Sequence, residues 1–169
     1  MNYQITSYFT NPNWIIAEKS GFMNNNSLRA SRFFLKNSVD KAERTIRRKG
    51  GAISSGKVIA EQSLAFWTSL FEPHHYRLIG GIVIHCFPEK PSNVNRSIIS
   101  QKLNRIREFR NRVYHNEPIC FDGQNIDFSE AENIRDEIFE MLTWIDSDLS
   151  TYAEYFNGIN AKIDQVNNI

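Results

Sequence analysis

The chain has 169 residues, 41% of them apolar and 23% charged, with a formal net charge of +1. This is the composition of an ordinary globular protein, and the length predicts one domain, 1–169, large enough to bury a core. No apolar run reaches the ~20 residues of a membrane span, and no signal-peptide pattern opens the sequence, so neither a membrane nor an export role is expected.

Residues 1–26 are weakly patterned, punctuated by Asn11-Pro12 and the run Asn24-Asn25-Asn26, and are predicted to be irregular. Trp14, Ile15 and Ile16 should anchor this segment to the body. From Ser27 to about Lys49 the apolar spacing is helical, through Leu28, Leu35, Val39, Ala42 and Ile46, and Gly50-Gly51 stops it. Ser54 or Ser55 then caps a helix from Lys57 to Phe71 whose apolar residues cover more than one stripe, with Trp67 in the core. Tyr76 to Phe87 reads as a short apolar helix, with a strand as the competing assignment. After a Pro-rich turn, a basic helix from Asn95 to Glu117 carries Ile99, Leu103, Ile106, Phe109 and Val113 on its inner side. Proline disfavours the helical region for the residue before it, so Pro118 sets the limit at Glu117. Asp122-Gly123 signals a turn. A capping box, Ser129 to Glu132, opens the last helix, which runs to Ile145 with Leu142 inside and breaks near Asp146-Ser147. Residues 158–169 are predicted to be a loose tail. The sum is an all-α bundle of about five helices.

The small net charge hides three polarised segments. Arg29–Lys57 carries a local +7, Arg96–His115 carries +5, and Asp122–Glu154 carries −9. A polyanion could dock on the first two, or the basic helix could pair with the acidic one. Cys86 and Cys120 lack metal-ligand spacing, which predicts a reducing cytoplasm. His74, His75 and His85 add no zinc pattern and are expected as a loop pair and a buried ring.

The densest chemistry lies in RIREFRNRVYHNEPI, Arg105 to Ile119. It places His115 and several guanidiniums at a helix C-terminus. The helix end favours the charged imidazole and the arginines oppose it, an arrangement that suits acid–base work near neutral pH. On an ideal helix Asn111 and His115 share a face, while Arg110 is turned ~140° from His115 at ~100° per residue. The structural alternatives are His115 as a plain helix cap and Arg110 as an ion-pair partner of the acidic helix.

RNRVYHNEPI (Arg110–Ile119) resembles the RNR-x-x-H-H-E-P-I signature of the Abi-like (abortive infection) family of bacterial proteins, within the HEPN superfamily of helical ribonucleases. GKVIAEQSLAFWTSLF (Gly56–Phe71) is similar to a second block of that family, and NPNW (Asn11–Trp14) to a third. Ala65 stands where the family prefers glycine and Asn116 where it prefers a second histidine. Family members also begin with an extra helical segment that this sequence does not include. A short member, or a helix supplied by a partner, is the expectation.

The resemblance implies a HEPN-like bundle and a metal-independent endoribonuclease that uses no cofactor and acts in phage defence. His115 would move protons, Arg110 would stabilise the phosphorane, and Asn111 would orient phosphate or imidazole. Arg105, Arg107 and Arg112 would contact RNA phosphates, and Tyr114 could stack on a base. Glu117 is expected to pair with an arginine of the same helix end. RNA and a second copy completing a composite site are the implied partners, with an antitoxin or other partner protein also possible. The alternative is a HEPN domain that binds RNA, nucleotide or protein without cutting.

Overall fold

The computed structural model describes residues 1–167. The fold is all-α. Among the described residues there are ten α-helices, three 3-10 turns, and one two-stranded hairpin. The hairpin pairs β1 (Phe121–Asp122) with β2 (Asn125–Ile126) around Gly123. The chain divides into two compact units, Met1–Cys86 and Phe87–Ile169.

In the first unit, residues 1–26 are more ordered than their patterning suggested. Helix α1 (Asn2–Phe9) ends on left-handed Thr10, and α2 (Trp14–Ala17) follows at once. The NPNW tetrapeptide makes the corner. Asn11 Oδ1 accepts the Asn13 N–H at 2.8 Å, and wholly buried Trp14 donates from Nε1 to Asn2 Oδ1 at 2.8 Å. Ser55 Oγ donates to Asn13 Oδ1 at 2.7 Å, so the tetrapeptide meets the residue just ahead of the Gly56–Phe71 block.

The helix expected from Ser27 begins only at Phe34, as α3 (Phe34–Arg48). Arg32 and Phe33 both take positive φ, 51° and 52°. They end the preceding turn, with Phe33 N–H bonded to Leu28 O and Arg32 N–H to Arg29 O. The helix expected over Lys57–Phe71 is two, α4 (Ser55–Ala60) and α5 (Leu64–Ser69). The Gln62 side-chain amide takes the Val58 carbonyl at 3.0 Å, and its backbone N–H turns to Ile59 O instead. Such local side-chain bonds compete with the helical ladder. α6 (Pro73–Leu78) starts on proline, which the first helical position tolerates. Gly80 and Gly81 then adopt φ 59° and 71° with Tyr8 and Tyr76 packed where a Cβ would stand, so the helix expected to Phe87 gives way to a 3-10 turn at Ile82–Cys86.

Two ionisable side chains are buried in this unit. Glu43, 6% exposed, is met by Lys19 Nζ at 2.8 Å and by Arg47 at 3.6 Å. The Glu43 hydrogen bond, which outweighs the opposing effect of burial, holds the Lys19 ammonium above its usual range. His75, on α6 rather than in a loop, is the buried ring, while His74 and His85 are exposed. Its Nδ1 faces Ser69 O at 2.8 Å and must carry the proton, while Nε2 has no partner among the described residues. Burial lowers its pKa.

In the second unit, α7 (Arg96–Tyr114) is capped by Asn95, whose side chain accepts from Ser97 and Ile98 N–H at 2.8 and 3.2 Å. α8 (Ser129–Ile145) has Phe128 at its N-cap instead of the expected Ser129 box, and the Asp127 side chain meets its first turn. Asp127 Oδ1 accepts the Ser129 N–H at 2.7 Å, and hydrogen bonds from Ser129 hold its carboxyl below the usual range. The break near Asp146 is present, and Asp146 caps α9 (Ser147–Glu154). The tail expected to be loose from residue 158 is helical as α10 (Ile159–Asn167); residues 168–169 lie outside the described residues. Ile99, Ile134, Met141 and Trp144 are buried. Leu103, Ile106 and Leu142, like Trp67 of the first unit, are half-buried where the core was expected.

Candidate active site

Helix α7 has two unlike sides. Lys102, Arg105 and Arg112 recur at three and seven residues and therefore share a face. That face meets the acids of α8. Lys102 Nζ lies 2.6 Å from Glu140, Arg105 Nε donates to Glu137 at 3.2 Å, and Arg112 Nη1 donates to Glu130 at 2.7 and 2.5 Å. Each step up α7 meets a step down α8, so the two helices run antiparallel with a register fixed by charge. Arg112 also donates from Nη2 to the Pro118 carbonyl at 2.9 Å and lies 3.6 Å from Glu117, the helix-end pairing expected of Glu117.

The groove along this face, about 810 Å³, is lined by Glu108, Glu130, Asp136, Glu137 and Glu140 against Arg105 and Arg112. Its sign is wrong for a polyanion. Among the described residues no cluster of three or more His, Cys, Asp or Glu is arranged to hold a metal ion.

The other side of α7 is different. Arg110 has no carboxylate within ion-pair reach among the described residues. Its guanidinium carbon sits 5.2 Å from the Tyr114 ring centroid, and Nη1 lies 3.4 Å from Asn111 Oδ1. The Tyr114 ring in turn stands edge-on to His115, with centroids 5.5 Å apart and planes at 84°. Tyr114 thus touches both groups that an ideal helix would splay apart. Arg110, Asn111, Tyr114 and His115 are all exposed, Tyr114 by 70%. Arg107 is half-buried with no side-chain partner among the described residues.

The helix end fixes His115. It is the C-cap, φ −88° and ψ 9°, its N–H bonded to Asn111 O at 2.9 Å. Asn116 follows at φ 55°. The Asn116 N–H bonds Val113 O and the Glu117 N–H bonds Arg112 O, a Schellman termination with asparagine in the left-handed position. This role for Asn116 was missed from sequence. Its signal was an asparagine one residue before Glu117-Pro118.

The predicted residues therefore separate. Arg110, Asn111, Tyr114 and His115 come together as an exposed cluster, whereas Arg105 and Arg112 are held by carboxylates. The cluster can bind a phosphate through Arg110 and exchange protons through His115, but water reaches both groups. A substrate or a second protein surface would have to cover them for the charge stabilisation of a dry site. Comparison with known proteins returned no matching family model, curated relative or solved structure.

Proposed function

We propose that the chain is a metal-independent endoribonuclease of the HEPN type, acting in phage defence as a homodimer. The observation that carries this reading is the Arg110 guanidinium, held by no carboxylate among the described residues and linked through Tyr114 to the His115 imidazole, on a helix where Lys102, Arg105 and Arg112 are neutralised. The RNRVYHNEPI resemblance points the same way. RNA brings its own nucleophile. The 2′-hydroxyl attacks the adjacent phosphorus, its proton passes to an imidazole, and the 5′-oxygen leaves with a proton from a second acid. Arg110 stabilises the crowded anionic phosphorane, and Asn111 orients the phosphate. One chain offers one such imidazole, so a second copy bringing its own His115 would supply both base and acid and would exclude water.

Purified protein is incubated with total cellular RNA in EDTA. Products should carry 2′,3′-cyclic phosphate and 5′-hydroxyl ends, DNA should resist, and His115→Ala should slow cleavage by about 10²–10⁴-fold. Cleavage that requires magnesium, or is indifferent to His115, would sink the assignment.

The complete exposure of the cluster favours a second reading, a HEPN domain that binds RNA or a partner such as an antitoxin without cutting. In that case cyclic-phosphate ends are absent and His115→Ala leaves RNA affinity unchanged.

A further inference from the structure

Helix α3 buries Leu35, Val39, Ala42 and Ile46 and turns a second, unrelated surface outward. Phe34, Lys41, Arg44 and Arg48 recur at seven, three and four residues, so they line one side of the helix over about 21 Å. Arg29 and Arg32 stand in the turn just ahead of it. All five cations are exposed, and none has a side-chain hydrogen bond or ion pair among the described residues. Their neighbours are different. Lys19, Arg47 and Lys49 hold Asp40, Glu43 and Glu61 at 2.8–3.6 Å. The carboxylates of this region are thus already taken, and the stripe is left uncompensated.

Beside the stripe lies a cleft of about 490 Å³ lined by Arg32, Phe34, Asn37, Lys41, Thr45 and Ser63, among others. Glu61, the one carboxylate on its wall, is engaged by Lys49 at 2.8 Å. Two successive left-handed residues, Arg32 and Phe33, turn the chain at its rim, and Asn37 Nδ2 ties Arg32 O at 2.7 Å. A phenylalanine at positive φ is a backbone outlier, and here it lies between two residues that both line the cleft.

Cations alone would attract any polyanion. The cleft narrows the choice, because its volume suits a small polar ligand and it sets a 37%-exposed phenyl ring beside hydroxyl and amide groups. A duplex hides its base faces, and a lipid head group brings phosphate and polar groups but no flat ring to stack on Phe34. A single strand offers phosphates to the stripe and an unstacked base to the ring, and RNA adds a 2′-hydroxyl for the hydroxyls and amides.

We propose that the outer face of α3, with this cleft, is a single-stranded RNA-binding surface in which Lys41, Arg44 and Arg48 take phosphates and Phe34 stacks on a base. The choice of RNA over DNA rests on the reading of the chain as an RNA-directed protein; the surface itself does not depend on His115.

The test uses the full chain carrying His115→Ala, so that cleavage cannot intrude, and a short labelled oligouridine followed by fluorescence anisotropy over a range of salt. Adding Lys41→Gln, Arg44→Gln and Arg48→Gln should weaken binding at least tenfold. It should also flatten the slope of log affinity against log salt by about 2, at ~0.7 per phosphate contact. Adding Phe34→Ala should weaken binding by about tenfold without changing that slope, because it removes stacking and no charge. Unchanged affinity and slope in the triple variant overturn the proposal, as does indifference to Phe34→Ala. Equal affinity for the deoxy oligomer overturns the assignment of RNA. Binding lost only from anionic phospholipid vesicles, with oligouridine binding intact, makes the stripe a membrane contact and also overturns it. If wild-type protein cuts no RNA yet the triple variant binds weakly, the nuclease reading falls and this surface stands. If wild type cuts and the triple variant binds as well as its parent, this surface falls and the nuclease reading stands.

Discussion

Arg110 and Arg112 are two residues apart on one helix, and the structure predicts opposite consequences for losing them. Arg112 holds Glu130 through two contacts of 2.7 and 2.5 Å, with pair side chains 35% and 52% exposed, and donates to the Pro118 carbonyl at 2.9 Å. An exposed ion pair contributes about 0.2–1 kcal/mol and the carbonyl bond about 0.5–1.5 kcal/mol. Arg112→Ala should therefore lower stability by about 1–2 kcal/mol, a fall in Tm of roughly 3–6 °C for a chain of this size. Among the described residues Arg110 has only its contact with the Tyr114 ring and a long approach to Asn111. An exposed cation–π contact is worth about 0.5–1 kcal/mol, so Arg110→Ala should lower Tm about half as much, by roughly 1–3 °C. The order reverses in an RNA-cleavage assay. Loss of Arg110 should cost about 10²–10³-fold, the usual worth of one transition-state charge stabiliser, while Arg112→Ala should stay close to wild type. Thermal melts and initial rates on the same preparations decide it. If Arg112→Ala abolishes cleavage with Tm intact, ion pairing has not sorted the arginines into structural and functional ones, and the reasoning fails.

Asn116→Val should destabilise by about 1–2 kcal/mol, since a β-branched residue resists the left-handed region, whereas Asn116→Gly should be close to neutral; urea midpoints distinguish them. His75 titrates below its ordinary 6.5 because burial favours the neutral ring. The unfolded chain then binds a proton that the folded chain refuses, so stability is full above about pH 6.5 and falls as pH drops toward the folded value; His75→Gln should remove this part of the slope in urea melts at successive pH values. Lys19→Met should cost about 2 kcal/mol by leaving Glu43 buried beside a single cation at 3.6 Å. Adding Glu43→Leu should recover most of it, and a double-mutant cycle without such coupling would refute the buried pair as the cause.

The class of fold was legible because it rests on periodicity, which every helix must display to bury one side. Continuity was less so. The pattern from Ser27 and the pattern from Lys57 to Phe71 both hold across breaks, because the stripe resumes in phase. What interrupts them is local: positive φ at Arg32 and Phe33, and a Gln62 amide that takes a helical carbonyl. Neither Arg32, Phe33 nor Gln62 is a breaker by type, so each break follows from packing that one-dimensional spacing does not contain. At Gly80-Gly81 the breaker is a residue type that the sequence shows directly, and both glycines take positive φ. NPNW could be seen as an anchor, since Trp14 had to be buried; its bond to Asn2 could not.

The candidate site was legible as a list of residues and illegible as a division among them. Charge counted along the chain makes Arg96–His115 uniformly basic. Charge counted by face does not, because Lys102, Arg105 and Arg112 recur at three and seven residues while Glu130, Glu137 and Glu140 recur at seven and three. Those reversed spacings are what an antiparallel ladder requires, and they stand in the sequence. Once that ladder is drawn, Arg110 is among the cations outside it, and it is the one that stands over the Tyr114 ring. Drawing the ion pairs of α3 in the same way removes Arg47 and leaves Lys41, Arg44 and Arg48 on the outer face, with Lys36 bonded to the Asn24 amide. The quantity that matters for a polyanion is therefore neither net charge nor local charge density. It is the set of cations that no carboxylate already holds, since a phosphate that displaces an existing pair gains only the difference between two ionic contacts, whereas one that meets a free guanidinium gains the whole contact.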